Sequence, residues 1–469
     1  MCASGARAMS NNYDVAIVGS GIAGLVCGAY LAKHGKKVII VEKHQKCGGC
    51  CSTFEINGFK FDAGTHVFTE LDKKGILNYI FKKIGLQHKF YKIIPTDKIH
   101  YDNKIMEIPE GVEAFAHSLV KKFPRESVNI KMFFCEIEKI YGKFIKPDTT
   151  DLNSTYSFLL DKHFKDRLLK DILSIYFAFI GSYPKESSMV MLGSVLFSIV
   201  KGGLYYPAGG AGGVVNSIIK EFIANGGEIR TNAECTSILI NATNKTVEKL
   251  VINDREKISA KIYVSDSDVT RLFETLIKPN IFHNEGIVKE FEASFSLHCL
   301  YIGCELNARF VSHKTGWHLS YKDRKLDPFF ISCPSLIDNS LAPNNKSTII
   351  CFRIDEDPVI KENTEYKNQQ MQKSLKRLTE ILPAIKNNIA VIENATPYSI
   401  FKYTLNSDGA AYGWKPKPQQ MHGNFKYDLP KNLFIVGHWS GFGGGVTPVA
   451  ISGYKVATDI LGKRELFYG

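Results

Sequence analysis

Residues 13–53 constrain the fold of this chain more than any other stretch. They open with the apolar run Val15, Ala16, Ile17, Val18, turn through Gly19, Ser20, Gly21, Ile22, Ala23 and Gly24, and continue in a helical pattern that stops at Gly35. A second apolar run, 38–41, ends on Glu42. Strand, glycine turn, helix, strand and terminal acid together make a βαβ unit of the kind that holds a dinucleotide. Gly19 permits the tight turn, Gly21 lets backbone approach a pyrophosphate, and Gly24 lets the helix lie close on the sheet. Free N–H groups at the helix start, around Ala23, meet the phosphate charge. Glu42, with Lys43 beside it, faces the ribose hydroxyls.

The next residues narrow the ligand. Gly48 and Gly49, within 47–53, keep the backbone where side chains would collide with a bound molecule. Glycine turn and diglycine, followed by Phe61-Asp62-Ala63-Gly64-Thr65-His66, resemble the FAD-binding start of the flavin amine oxidase and phytoene desaturase superfamily. The end of the chain extends the likeness. The segment Gly409-Ala410-Ala411-Tyr412-Gly413-Trp414, then Pro418 and Gln419, then the strand 433–436 feeding Gly437-His438-Trp439 and a glycine loop, looks closest to the phytoene desaturase, carotenoid isomerase and retinol saturase branch. The resemblance covers nearly the whole chain in order.

It implies FAD as cofactor, with hydride exchange at flavin N5, and a site built from Gly48, Gly49, Cys50, Ser52, Thr53, Gly64, Thr65, Cys235, Gly437, His438, Gly445 and Val446 in addition to the first turn. Cys235 opens a hairpin over the adenine end. The helix after the glycine loop runs to about residue 461, and its N-terminus would stabilise negative charge on the reduced ring. Many relatives carry an acid where this chain has His438, and an imidazole can still hydrogen-bond a ribityl hydroxyl. His438 and Tyr412 are the candidate catalytic side chains; Tyr205 and Trp414 join them as expected walls of the flavin pocket.

At 469 residues the chain is too long for one simple core. The expected fold class is α/β: a Rossmann-like FAD-binding domain with a parallel sheet, and an inserted α+β substrate domain. The cofactor domain is expected at 12–88, 200–270 and 397–469, the substrate domain at 89–199 and 271–396. Helices are expected at 76–86, 111–144 with a break at Pro124, and 214–225, and short strands at 90–108. The apolar stretch 158–200 falls short of a bilayer span. It reads either as a tunnel or core lining, or as a monotopic dip into one leaflet flanked by lysines.

The formal net charge of +12 comes from scattered lysines without arginine clusters or nucleic-acid signatures, so nucleic acid is not an expected partner. Attraction to an anionic lipid surface and a plain solvated surface both fit it. His44, Cys47, Cys50 and Cys51 have gaps that zinc could use, yet they overlie the diglycine and lack a second CxxC, so no metal is expected. The eleven cysteines read as buried thiols. Residues 1–12 are polar, and a cytoplasmic protein, at most peripheral at the inner face of a membrane, is the expectation.

Three functions remain in view. The first is an FAD enzyme acting on carbon–carbon bonds of an apolar isoprenoid or polyene, by desaturation, saturation or cis/trans isomerisation. The second is an amine or amino-acid oxidase on the same fold, which would need a small polar pocket. The third is a non-enzymatic prenyl-binding carrier like the GDP-dissociation inhibitors, which would have lost its flavin contacts.

Overall fold

The computed structural model describes residues 12–145, 153–322, 325–357, 361–421 and 425–463; most of the polar N-terminal stretch, residues 1–11, lies outside them. The apolar runs at the start of the chain do become parallel strands. β1 (Asn12–Val18) pairs with β2 (Val38–Val41), Val15 opposite Val38 through Val18 opposite Val41, and on its other side with the strand Glu256–Ser265. Both faces of β1 are covered, which is why it is a continuous apolar run and not an alternating one.

Leu433–Ile435 pairs parallel with Glu256–Ser265, and Glu228–Arg230 pairs parallel with β2. Five parallel strands from three distant parts of the chain thus lie side by side. An antiparallel hairpin, Cys235–Asn241 and Thr246–Ile252, and the short strand Ile277–Lys278 extend the sheet to eight. The helix α1 (Ile22–Lys33) has Ile22 to Ala32 buried without interruption, because it is packed between the helices Ala211–Ala224 and Val446–Ile460.

A second sheet has seven strands, in the order Ile389–Ala395, Ser296–Cys304, Ser347–Asp355, Phe329–Ser332, Thr315–His318, Asp97–Tyr101, Lys104–Ile108. It is antiparallel except where Thr315–His318 runs beside Asp97–Tyr101, Trp317 opposite Ile99 and His318 opposite His100. Alternation separates its two faces. Trp317, Phe330, Ile350 and Phe352 join the largest core with the helices between 112 and 202; Phe329, Ile331, Ile349 and Cys351 pack under the helix Thr364–Ile381.

Two sequence expectations meet the structure here, one an open alternative and one a boundary. The apolar stretch 158–200 forms the helices Tyr156–His163, Arg167–Ser174 and Met189–Gly202 with a tight turn at Ile175–Phe179. Ile172, Leu173, Ile175, Tyr176, Phe177, Met191 and Leu196 are at most 1% exposed. These side chains belong to the largest core, the core-lining alternative for this stretch, and among the described residues no helix is long and apolar enough to cross a membrane. The second is a boundary. Beyond residue 270 the chain stays with the first sheet: Leu272, Phe273, Leu276 and Phe282 share a core with Trp414 and Trp439, and the crossing comes at Ser296.

Candidate active site

One large cavity, of about 840 Å³, opens at the C-terminal ends of the parallel strands and reaches the strand Ser296–Cys304 of the second sheet. This is where an open α/β sheet places its ligands. Five separate segments bring the expected residues to its wall. The first turn supplies Gly19, Gly21 and Ala23, and the end of β2 supplies Glu42 and Lys43. The following loop supplies Gly48, Gly49, Cys50, Ser52 and Thr53, then Gly64 and Thr65; Cys235 comes from the hairpin; Tyr412, Gly437, His438, Gly445 and Val446 come from the end of the chain. Gly24 lies behind the wall. A Cβ there would sit 2.5 Å from the Gly19 carbonyl oxygen, so its absence is what closes the turn.

The geometry suits a dinucleotide. α1 begins at Gly21 with no cap from the Gly21 position and no acid in its own first turn, so apart from Gly24 N, which a carboxyl takes, its first N–H groups and the positive end of the helix dipole are left to an anion. Glu42 is buried, accepting from Ser20 N at 3.0 Å, Ser20 Oγ at 2.6 Å and His44 N at 2.9 Å. Those bonds hold the carboxylate at the tip of β2 with lone pairs left for further donors. Gly48 has φ of +114°, and a Cβ on it would meet Val215 at 2.9 Å, so the diglycine lies flat on the helix Ala211–Ala224.

Sequence reasoning missed Asp266. It follows the strand Glu256–Ser265, and its carboxyl is inserted between the two glycine turns. Gly24 N donates to Oδ2 at 3.0 Å; a Cβ on Gly21 would lie 2.5 Å from Oδ2, and one on Gly437 2.4 Å from Oδ1. Burial, reinforced by the Glu42 charge and opposed by the glycine N–H groups, pushes this carboxyl up to about 7. The available signal was an acid at the end of a parallel strand adjacent to the one that precedes the glycine turn.

At the opposite end lie Cys50, Cys299, Tyr301, Tyr412 and His438. Burial pushes the Cys50 thiol up to about 11 and Cys299 up to about 12, and holds both phenols above their ordinary value. It pulls His438 down to about 4, so the imidazole is neutral. His438 Nε2 lies 3.3 Å from Asn406 Oδ1, which also accepts from Trp439 Nε1 at 3.2 Å, so assigning Nε2 as the donor leaves Nδ1 free to accept. Tyr412 Oη donates to the Ala178 carbonyl at 3.0 Å. With its proton so engaged, Tyr412 serves as wall more readily than as acid.

Two expected wall residues are elsewhere. Tyr205 pairs with Phe68, N to O at 2.8 Å in both directions, under the Lys92 ammonium. Trp414 stands behind Trp439, edge to face at 4.8 Å, with Nε1 on Tyr427 Oη. The cysteine-rich segment is also otherwise engaged: His44 Nε2 lies 2.6 Å from the Tyr403 carbonyl and Cys51 Sγ 3.1 Å from Thr65 Oγ1. The ten described cysteines are all unbridged.

Comparison with known proteins fits this geometry. The chain is 28% identical to the prolycopene isomerase of Daucus carota, covering 96% of this chain and 81% of the relative. It is 24% identical to the all-trans-retinol 13,14-reductase of Danio rerio, covering 94% and 85%. Among solved structures, an oxidoreductase from Methanosarcina mazei superposes with a TM-score of 0.71 over 94% of this chain and 99% of its own, at 17% identity. The profile of the flavin-containing amine oxidoreductases matches residues 22–461. The chain belongs to that family and is an FAD-dependent oxidoreductase.

Proposed function

We propose that this enzyme acts on carbon–carbon bonds of a long apolar isoprenoid polyene, by desaturation, saturation or cis/trans isomerisation. The observation that carries the reading is the uncharged end of the cavity: Cys50, Cys299, Tyr301, Tyr412 and His438 are all neutral at pH 7. A polyene carries no charge to be matched, and burying it against neutral side chains is favourable at roughly 25 cal/mol per Å² of apolar surface. An ammonium substrate buried against these five side chains would find no counter-charge among them, which is costly.

FAD, when bound, supplies hydride exchange at its N5 position. The chain's own residues would do the rest. Gly19, Gly21 and the start of α1 would hold the diphosphate, and Glu42 the ribose. The helix Val446–Ile460 begins at Gly445, also without a side-chain cap, and would favour negative charge on the ring. His438 Nδ1 would accept from a ribityl hydroxyl, and the strand Ser296–Cys304 would hold the substrate against the ring and exclude water. The relatives named for prolycopene and retinol support the choice of a polyene.

The test takes the purified protein, identifies the released cofactor by mass, and offers it a poly-cis carotenoid, all-trans-retinol and putrescine, with reduced and with oxidised flavin. Conversion of a polyene, seen as a new chromatographic peak with a shifted absorption band, is expected. Peroxide formation on putrescine without polyene turnover would overturn the reading in favour of an amine oxidase. A protein that refuses FAD yet retains a prenyl chain would overturn it in favour of a carrier.

A further inference from the structure

Far from the parallel strands, three histidines meet at the outer side of the second sheet. His100 and His318 are register partners on adjacent parallel strands, their rings stacked at 4.2 Å and 19°. His313, in the loop that leads into Thr315–His318, places its ring 4.8 Å from His100 and 5.6 Å from His318. One nitrogen from each lies within 4.8 Å of the others, the only such group of potential ligands among the described residues. The Nε2 atoms of all three are buried without a hydrogen-bond partner. An orphaned buried polar group costs about 1–3 kcal/mol, and three in one place call for a common partner.

We propose that His100, His313 and His318 form a binding site for a divalent first-row transition ion, of which zinc is the representative. Three imidazoles suit zinc, copper or nickel more than calcium or magnesium. Zinc–nitrogen bonds are about 2.0–2.1 Å, so the three nitrogens draw together by side-chain rotation as the ion enters, and a water completes the tetrahedron. The Nε2 atoms are buried, but His100 and His318 are only half-buried as residues, against 5% exposure for His313, so rotation of those two rings opens the way in.

Two features prepare the ligands. Ser312 Oγ lies 3.1 Å from His313 Nδ1, and a proton shared there leaves Nε2 as the lone pair, the outer-shell arrangement typical of ligating histidine. Gly316 makes room for the ring: a Cβ on it would lie 2.6 Å from His313 Cδ2. The neighbouring cations are spoken for. Lys98 pairs with Glu107 at 2.9 Å, and Arg377 pairs with Asp327 at 3.1 Å while donating to the His318 carbonyl. The ion would pin the early strand Asp97–Tyr101 to the late strand Thr315–His318, where backbone pairing covers only two residues of each.

The site is independent of the flavin reading, and so is its test. Chelator-stripped holoenzyme is titrated with zinc by calorimetry and with cobalt(II) by visible absorption. One ion per chain, a tetrahedral cobalt spectrum without sulfur charge transfer, and a raised thermal midpoint at constant flavin content are expected. His313→Gln and His318→Gln should lose the site, and Ser312→Ala should weaken it by about tenfold. Absence of binding, binding that survives His313→Gln, or a sulfur-to-cobalt band marking a cysteine site would each overturn the proposal. Should the histidine variants fail to fold, X-ray absorption of the zinc-loaded wild type decides: a shell of nitrogen and oxygen with imidazole scattering supports it, and sulfur refutes it.

Discussion

The two ends of the large cavity obey the same physics to opposite effect. At the end of β2, Glu42, Lys43, Glu234 and Arg271 line the wall, and polar partners meet them there: Arg271 pairs with Glu234 at 2.8 Å, and Glu42 accepts three hydrogen bonds. At the other end, burial pulls the imidazole into its neutral form and raises thiols and phenols that are neutral at pH 7 to begin with. A nucleotide needs polar groups that stay polar; an apolar chain needs a wall that gives nothing to solvate. Partnering decides which outcome burial has, because a buried charge persists only where hydrogen bonds or a counter-charge offset its lost hydration. Asp266 sits between these regimes, buried like the second and touched by N–H donors like the first.

The largest effect is expected at the polar end. Gly21→Val drives a side chain into the Asp266 carboxyl and into the place kept for the diphosphate. FAD content, read as the ratio of flavin to protein absorbance, should fall to background. A variant that remains fully yellow would refute the assignment of this turn to the cofactor. Next comes Asp266 itself. It is neutral below about pH 7 and ionises above it, facing Glu42 and the buried Cys27 and Cys50 thiols. A bound diphosphate resists that ionisation, so binding takes up a proton and affinity falls as pH rises, by up to about tenfold per unit above 7. Asp266→Asn should flatten the dependence while leaving affinity at pH 6 nearly unchanged. An equal slope in wild type and variant would locate the titration elsewhere.

Much of the polar end was legible in sequence because its function is carried by backbone: a glycine turn, a diglycine and an acid at a strand end are local patterns with fixed spacing. The neutral end was legible only through resemblance. Tyr412 and His438 reach the cavity, whereas Tyr205 and Trp414, equally aromatic and equally near glycines, do not; which face of a loop turns inward depends on packing among Trp439, Tyr427 and Phe291 that no spacing records. The histidine trio was invisible for the same reason. Its members come from two strands and a loop brought together by a parallel pairing, and neither fragment contains a ligand motif. Apolar composition left 158–200 open between core lining and a membrane surface, and many of its side chains pack in the largest core.

The smaller effects sharpen the contrast at the neutral end. His438→Leu keeps the wall apolar and removes both ring nitrogens: Nδ1, the acceptor for the ribityl hydroxyl, and Nε2, whose partner Asn406 keeps its bond from Trp439. FAD affinity should fall about tenfold, the worth of a single buried hydrogen bond near 1.4 kcal/mol, with polyene turnover at saturating FAD reduced far less. Because the imidazole is already neutral above about pH 4, the loss should be the same at pH 6 and pH 8. Tyr412→Phe tests the least. It removes only the bond to the Ala178 carbonyl, leaving that acceptor to its second lone pair, and the expected cost is about 1 kcal/mol of stability by thermal melting. Turnover should stay within about twofold if Tyr412 is wall. A loss approaching the 10²–10⁴-fold of general acid catalysis would mean that the phenol leaves Ala178 and protonates substrate, and the neutral end would then hold a catalyst as well as a surface.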